Sequence, residues 1–192
     1  MISGMVPQAP VVYRTITTAA QLPTLTRVFE EAASPVPIAA GQTGSATTTD
    51  SEHYYGKNAL RITPGGQFRL DLPRPIAIRE RPAWGEVRFL RFAVRKQSGG
   101  RFALGLASAQ PRETPARYDL GRGEPSYGSA TRVIPDLPKD WFVVTRDLFA
   151  DFGEFTLEGL AFSAVDGQAA LFDHLYLGRS LADFELLKEK VK

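Results

Sequence analysis

The 192-residue chain has no cysteine, which excludes a disulfide framework and any thiolate metal site. It has only two histidines, His53 and His174, and their spacing matches no histidine ligand motif. A histidine-based metal centre is therefore not predicted. Long apolar runs are also missing, since no stretch approaches the roughly 18 consecutive apolar residues that a membrane helix needs. The sequence predicts no membrane span.

Charge of one sign is not concentrated anywhere in the chain. The 23 basic and 21 acidic residues give a net charge of +2, and the arginines are scattered through the strand candidates. Nucleic-acid binding needs a basic patch or a recognisable motif, and neither is present. The sequence also lacks GxSxG, P-loop and dinucleotide-binding motifs. These absences predict no nucleic-acid partner and argue against the enzyme classes that those motifs identify.

What the chain does contain is a series of short runs, separated by glycine and proline, in which apolar and polar residues alternate. Alternation with a period of two is typical of half-buried antiparallel strands. About eight to ten such strands predict an all-β fold, a two-sheet antiparallel β-sandwich of the jelly-roll kind, with short helical turns. We expect a lead-in at residues 1–25, the sandwich at 26–180 and a C-terminal helix or tail at 181–192.

The phase of two runs predicts which side chains face outward. Residues 59–63 and 67–72 alternate on either side of a Pro-Gly-Gly turn, which predicts a hairpin. Its second strand turns three polar side chains away from the core: Gln67, Arg69 and Asp71. The longest run, residues 86–96, buries alternate apolar residues. Its opposite face carries Phe89, Arg91 and Arg95.

Three stretches resemble a known family: DSEHYYGKNALRI at residues 50–62, WFVVTRDL at 141–148 and FDHLYL at 172–177. Their order and spacing resemble galactose-binding-like jelly-roll domains, which include many carbohydrate-binding modules. The resemblance implies a sugar-binding or protein-binding module, usually attached to a larger enzyme or surface protein. It also implies a structural calcium with Asp173 as one ligand. The acidic partner of Asp173 is left open among Glu30, Glu31 and Asp50.

The candidate ligand-binding residues fall into two groups. Sugar recognition needs groups that hydrogen-bond hydroxyls and aromatic rings that stack on the sugar. The predicted outward face supplies Arg69, Asp71, Arg91, Arg95, His174 and Tyr176. The loops supply Tyr54, Tyr55, Trp84 and Tyr127. The competing interpretations are a solvated face of Arg–Asp pairs and, for the loop rings, lids on the core. Trp141 begins an alternating run and is expected in the core.

These features favour a non-catalytic carbohydrate-binding module that docks an attached or partner enzyme onto a polysaccharide. Arg91 and Arg95 share a face, so together they could grip a carboxylate-bearing polysaccharide. The first alternative is a structural or protein-interaction domain with a contiguous apolar patch. The second is a polysaccharide lyase with Tyr176 or His174 as base. Residues 1–20 lack the pattern of a secretory signal, and we expect a segment of an exported protein, extracellular or periplasmic.

Overall fold

A computed structural model describes residues 25–29, 35–108, 116–122, 130–134 and 136–187. Within these ranges the chain forms twelve strands, one α-helix and one short 3-10 helix. The strands are β1 Leu25–Phe29, β2 Val36–Pro37, β3 Ala46–Thr49, β4 Ala59–Ile62, β5 Gly66–Ile78, β6 Phe89–Arg95, β7 Phe102–Ser108, β8 Arg117–Leu120, β9 Ala130–Ile134, β10 Phe142–Asp147, β11 Phe155–Ala164 and β12 Ala170–Gly178. The helices are α1 Leu148–Phe152 and the 3-10 helix Leu181–Leu186.

The strands form two sheets packed face to face. Sheet A has the order β10-β6-β12-β4-β3, with β1 beside the second half of β12. Sheet B has the order β2-β5-β11-β7-β8-β9. Strands β4 to β7 alternate between the sheets, as do β10 to β12, which gives the double Greek key of a jelly roll. The predicted β-sandwich is confirmed. One strand pair departs from the antiparallel expectation, since β8 and β9 run parallel.

The predicted hairpin between residues 59–63 and 67–72 is wrong. Strand β4 lies in sheet A and β5 lies in sheet B, so the Pro-Gly-Gly turn carries the chain across the sandwich. Gly65 at this turn has a φ of 93°, a conformation that glycine adopts without steric cost. Alternation shows which face of a strand is buried. It does not distinguish a hairpin within one sheet from two strands in opposite sheets, because both arrangements bury alternate residues.

The core fills the space between the sheets with alternate residues of each strand. In β6 the inward residues Leu90, Phe92 and Val94 are fully buried, as the phase predicted. The two sheets meet through aromatic rings, for example Phe162 of sheet B and Phe172 of sheet A, whose ring centroids are 5.0 Å apart. Burial of such a side chain stabilises the fold by roughly 1.5–3 kcal/mol relative to exposure. This core holds both outer sheet faces in fixed positions.

Two short helical segments lie at the same end of sheet A, where Asp147 and Gly178 are both cross-strand neighbours of Phe89. Helix α1 begins after Asp147, whose carboxylate accepts the N–H of Ala150 at 3.0 Å, as expected for an N-cap. The 3-10 helix follows β12, and the Asp183 carboxylate accepts the N–H groups of Arg179 and Ser180. Residues 188–192 of the predicted C-terminal helix or tail, and residues 1–24 of the lead-in, lie outside the described ranges. No helix in the described ranges is long and apolar enough to cross a membrane.

Candidate functional site

The residues predicted to form one outward platform are divided between the two sheets. Arg69 and Asp71 lie on β5 in sheet B. The other four predicted platform residues lie in sheet A, on β6 and β12: Arg91, Arg95, His174 and Tyr176. The outer faces of the two sheets point in opposite directions, so the prediction of a single platform is wrong. The cause is the crossing of the chain between sheets from β5 to β6, which alternation alone does not reveal.

The middle of the outer face of sheet A is covered by residues 50–58. At this point the neighbour of β12 changes from β4, which pairs as far as Phe172, to β1, which pairs from Leu175 onward. Asp173 lies in the gap and is fully buried. Its Oδ2 accepts the N–H groups of Tyr54 and Tyr55 at 2.6 and 3.1 Å, and its Oδ1 accepts the N–H of His174 at 2.6 Å. The carboxylate therefore fastens the loop to the sheet.

Aromatic rings pack together under this loop and form the tyrosine–histidine cluster, defined as Tyr54, Tyr55, His174 and Tyr176. The His174 ring centroid lies 5.5 Å from that of Tyr54, 5.8 Å from that of Tyr55 and 4.8 Å from that of Tyr176. The side chains of Tyr54, His174 and Tyr176 are 7%, 1% and 7% exposed. Burial, together with the charge of Arg91, lowers the pKa of His174 from 6.5 to about 4.

The tyrosine–histidine cluster therefore belongs to the interior of the loop–sheet contact. Its members point away from the sandwich core, which was predicted for His174 and Tyr176, but three of the four rings present almost no surface to a ligand. Trp141 was expected in the core and instead lies half-buried on this outer side, with its ring centroid 6.0 Å from that of Tyr54. A loop that folds back over a strand gives no signal in the strand's own alternation.

Arg91 and Arg95 share the outer face of sheet A but do not form a pair of guanidinium groups. Arg91 donates to the Thr145 hydroxyl at 3.3 Å and lies over the Phe184 ring of the 3-10 helix, at 6.0 Å from its centroid. Burial lowers the pKa of Arg91. Arg95 donates instead to the Lys139 carbonyl and to Glu52 Oε1, at 2.9 and 3.0 Å. The predicted carboxylate grip by these two residues does not fit this arrangement.

The residues around Asp173 do not fit the calcium that the sequence resemblance implied. Three backbone N–H groups point at its two carboxylate oxygens, whereas a calcium ligand would turn those lone pairs to the cation. No group of three acidic or histidine side chains in the described ranges could hold a metal ion. Glu30 and Glu31 lie outside those ranges.

Chelation offers a direct test. We expect EDTA to leave the melting temperature of the protein unchanged, because backbone N–H groups already neutralise the Asp173 carboxylate. Thermal unfolding followed by circular dichroism, with and without the chelator, measures this. A fall in the melting temperature that added Ca²⁺ restores would contradict the expectation.

The outer face of sheet B carries the larger cavity, which we call the sheet B groove. Its volume is about 790 Å³. Across the sheet, Ala161 of β11 lies between Arg69 of β5 and Gly105 of β7, and Gly105 lies beside Arg117 of β8. The residues of the floor are small: Ala103, Gly105, Ala107, Ala161 and Ser163. The groove is therefore a trough of short side chains between two polar strands.

Charged pairs occupy both sides of the sheet B groove. On β5, the Arg69 guanidinium is hydrogen-bonded to Asp71 and lies 3.4 Å from Glu158 Oε2. On β8, Arg117 Nε lies 3.2 Å from Asp119 Oδ1. The predicted residues Arg69 and Asp71 thus lie beside the groove without lining it, and Arg117, which does line it, is a residue that sequence reasoning missed. The alternation of β8 predicts that Arg117 points outward. Its position on the opposite side of the groove from β5 depends on the order of strands in the sheet.

A second cavity, of about 370 Å³, lies on the outer side of sheet A, and we call it the cationic pocket. Its charged residues are Glu52, Arg61, Arg95 and Lys96. Arg61 of β4 and Arg95 of β6 stand on either side of Leu171 in the same cross-strand row. Sequence reasoning selected Arg95 only. Arg61 alternates with buried Leu60 and Ile62, so its outward phase could have been found, whereas buried Lys96 gives no such signal.

Two loop aromatics remain from the predictions. Trp84 is 67% exposed at the tip of a turn beyond the end of β5, far along the strand from the groove residues Gly66 and Gln67. The turn is held by Glu86, whose N–H donates to the Ala83 carbonyl and whose carboxylate accepts the Ala83 N–H. Trp84 is therefore accessible, as a stacking ring must be. Tyr127 lies outside the described residues.

Comparison with known proteins gave matches only among solved structures: no protein-family model and no curated protein matches the chain. A family 29 carbohydrate binding module shares 17% identity, over 81% of this chain and 88% of its own, with a TM-score of 0.46. A CBM29-2 mutant complexed with mannohexaose shares 17% identity, over 85% and 97%, with a TM-score of 0.49. Another, complexed with cellulohexaose, shares 18%, over 86% and 96%, with a TM-score of 0.47. These three solved structures are carbohydrate-binding modules.

Proposed function

We propose that this protein is a non-catalytic carbohydrate-binding module whose sheet B groove takes an oligosaccharide or polysaccharide chain. The observation that carries the proposal is the shape of the groove, a floor of alanine, serine and glycine between polar strands. Its volume of about 790 Å³ lies within the range of ligand-binding clefts. Larger side chains on the floor would close this space.

The chemistry of the groove suits a pyranose ring. Such a ring presents C–H groups on its faces and hydroxyl groups around its edge. The methyl groups of Ala103, Ala107 and Ala161 offer the C–H face close van der Waals contact. Gln67 of β5 and Arg117 of β8 line the two sides, and their side chains carry N–H donors for sugar hydroxyls. This arrangement would hydrogen-bond hydroxyl groups on both edges of the ring while the floor contacts its face.

A lyase would need a tyrosine or histidine base beside an arginine in an accessible groove. The two predicted bases, Tyr176 and His174, are buried under residues 50–58. A polysaccharide therefore does not reach them, and this favours binding without chemistry. By its sequence resemblance, such a module serves an attached or partner enzyme as a segment of an exported protein, outside the cell or in the periplasm, and we include this setting in the proposal.

The proposed function predicts that filling the groove removes carbohydrate binding. Ala161→Phe places a ring on the floor, and we expect it to weaken binding of any neutral glycan found for the wild-type protein at least about tenfold, which is about 1.4 kcal/mol. A glycan array identifies the ligand, and isothermal titration with that ligand measures the affinity. Gln67→Ala, at an exposed residue that lines the groove, is expected to weaken the same binding by loss of hydroxyl contacts.

Arg74→Ala is the matched control, since Arg74 is exposed on β5 and does not line the groove. Its affinity should equal that of the wild-type protein. Failure of the wild-type protein to bind any neutral or acidic glycan on the array overturns the proposal. Equal binding by wild-type protein and Ala161→Phe, with both folded by circular dichroism, overturns the assignment to the groove.

A further inference from the structure

We propose that the cationic pocket on sheet A is a second ligand site, which binds the carboxylate of a uronic acid residue in an acidic oligosaccharide. The site is separate from the sheet B groove, and it rests on the proposed function only for the sugar character of its ligand. It lies between β4, β12 and β6, beside the part of sheet A that residues 50–58 cover, and Glu52 of that segment lines it.

Three cations and one carboxylate face this pocket, so its net charge favours an anion. Arg61 and Arg95 flank Leu171 in one cross-strand row, which separates their Cα atoms by two strand spacings, about 10 Å. Side chains of this length on one face can both reach a ligand held between them. Two planar guanidinium groups suit a carboxylate, because each can donate a pair of parallel N–H bonds.

The arginines differ in what already engages them. The Arg61 side chain is exposed and makes no ion pair or hydrogen bond with any described residue. Arg95 uses Nε for the Lys139 carbonyl and Nη1 for Glu52, which holds its guanidinium in place and leaves its Nη2 group for a ligand. The pocket thus combines the oriented guanidinium of Arg95 with that of Arg61, which can change its position to suit a ligand.

Lys96 adds a fixed positive charge at the base of the pocket. Its side chain is 1% exposed, and its ammonium donates to the carbonyl oxygens of Asp166 and Gln168 in the turn between β11 and β12. An ammonium group has three N–H donors, and these two carbonyls take two of them. Neither bond is to a carboxylate, and the Asp166 carboxylate acts on this charge only through space, so an incoming anion could add a direct ion pair.

The size and the rest of the lining favour a sugar over a simple ion. A volume of about 370 Å³ is far larger than one carboxylate needs and is at the lower end of ligand pockets. Amide and hydroxyl groups also line it, from Thr63, Gln97 and Gln168. These neutral groups hydrogen-bond hydroxyls, and a uronic acid residue carries both hydroxyls and a carboxylate.

Isothermal titration of the full chain with trigalacturonic acid tests the site. We expect binding that weakens as salt is raised, and a loss of at least about tenfold in Arg61→Ala. Arg61→Lys keeps the charge but not the paired donors, so we expect an intermediate affinity. The methyl ester of the same trisaccharide, which lacks the negative charges, should not bind at this pocket.

Four outcomes can overturn this proposal. Arg74→Ala removes the same charge from an exposed strand position outside the pocket, and a loss equal to that of Arg61→Ala would reduce the effect to net charge. Equal binding of a triglutamate peptide would show a general anion site. Ala161→Phe fills only the sheet B groove, so loss of uronate binding in this variant would assign the acidic sugar to the groove. If the protein binds neutral glycans but no uronate, the proposal for the cationic pocket fails and the proposed function of the sheet B groove is unaffected.

Discussion

Replacing Asp173 with alanine is expected to lower the free energy of unfolding by about 4 kcal/mol, and the melting temperature by about 10 °C. The reason is that three N–H groups, of Tyr54, Tyr55 and His174, lose their acceptor at once, and those of Tyr54 and His174 are buried. Asp173→Asn keeps one acceptor oxygen and should lose about half as much. Urea denaturation followed by circular dichroism measures both differences.

The local nature of this effect can be measured by fluorescence. The chain has two tryptophans, so in a Trp84→Phe background the emission comes from Trp141, whose ring lies beside Tyr54. Release of residues 50–58 in the Asp173→Ala protein should shift that emission to longer wavelength before global unfolding. Asp71→Ala is the control, because Asp71 is exposed on β5 and its loss should change stability by less than about 0.5 kcal/mol. Equal stability of the two alanine variants would contradict the proposed role of Asp173.

Acidification is expected to weaken the protein through His174. Burial and the nearby Arg91 hold the pKa of His174 at about 4 in the folded protein, against 6.5 for an unperturbed histidine. Between these values the unfolded chain binds a proton that the folded chain does not, so stability is complete above pH 6.5 and falls as pH decreases toward 4. The total loss is about 3 kcal/mol. Urea unfolding at a series of pH values measures it.

A variant without the imidazole isolates this contribution. His174 has a φ of 54°, and asparagine tolerates this left-handed conformation better than most residues. His174→Asn should therefore fold and should lose the part of the pH dependence between 6.5 and 4. His53→Asn removes the other histidine and should keep the wild-type slope. Carboxylates contribute equally to all three proteins, so a slope that is the same in His174→Asn and wild-type would reject the assignment.

Much of the strand phase could be predicted from the sequence, because it depends on local alternation. Leu90, Phe92 and Val94 face the core and Arg91 and Arg95 face away from it, as their spacing predicts. Helix α1 was also predictable, because its N-cap is an aspartate immediately before it. These features depend on residues that are close together in the chain.

Strand partners and loop placement depend on distant residues, and there the predictions were wrong. All nine residues of β12 are buried, although their alternation predicts one exposed face. Residues 50–58 cover Asp173 and His174, and Phe184 packs so closely on Gly178 that a Cβ at that glycine would lie 2.9 Å from its ring. The two candidate sites likewise depend on which strands become neighbours, as the pairing of Arg61 with Arg95 across Leu171 illustrates.

The position of β12 has a consequence for synthesis on the ribosome. This strand is the last of the twelve in the described residues, yet it lies in the middle of sheet A and pairs with β1, β4 and β6. Until residue 178 has emerged from the ribosome, β1, β4 and β6 lack the strand that joins them. Their edges then stay available to other chains. Sheet A therefore closes only after release of β12, and chaperones that shield strand edges would act in that interval.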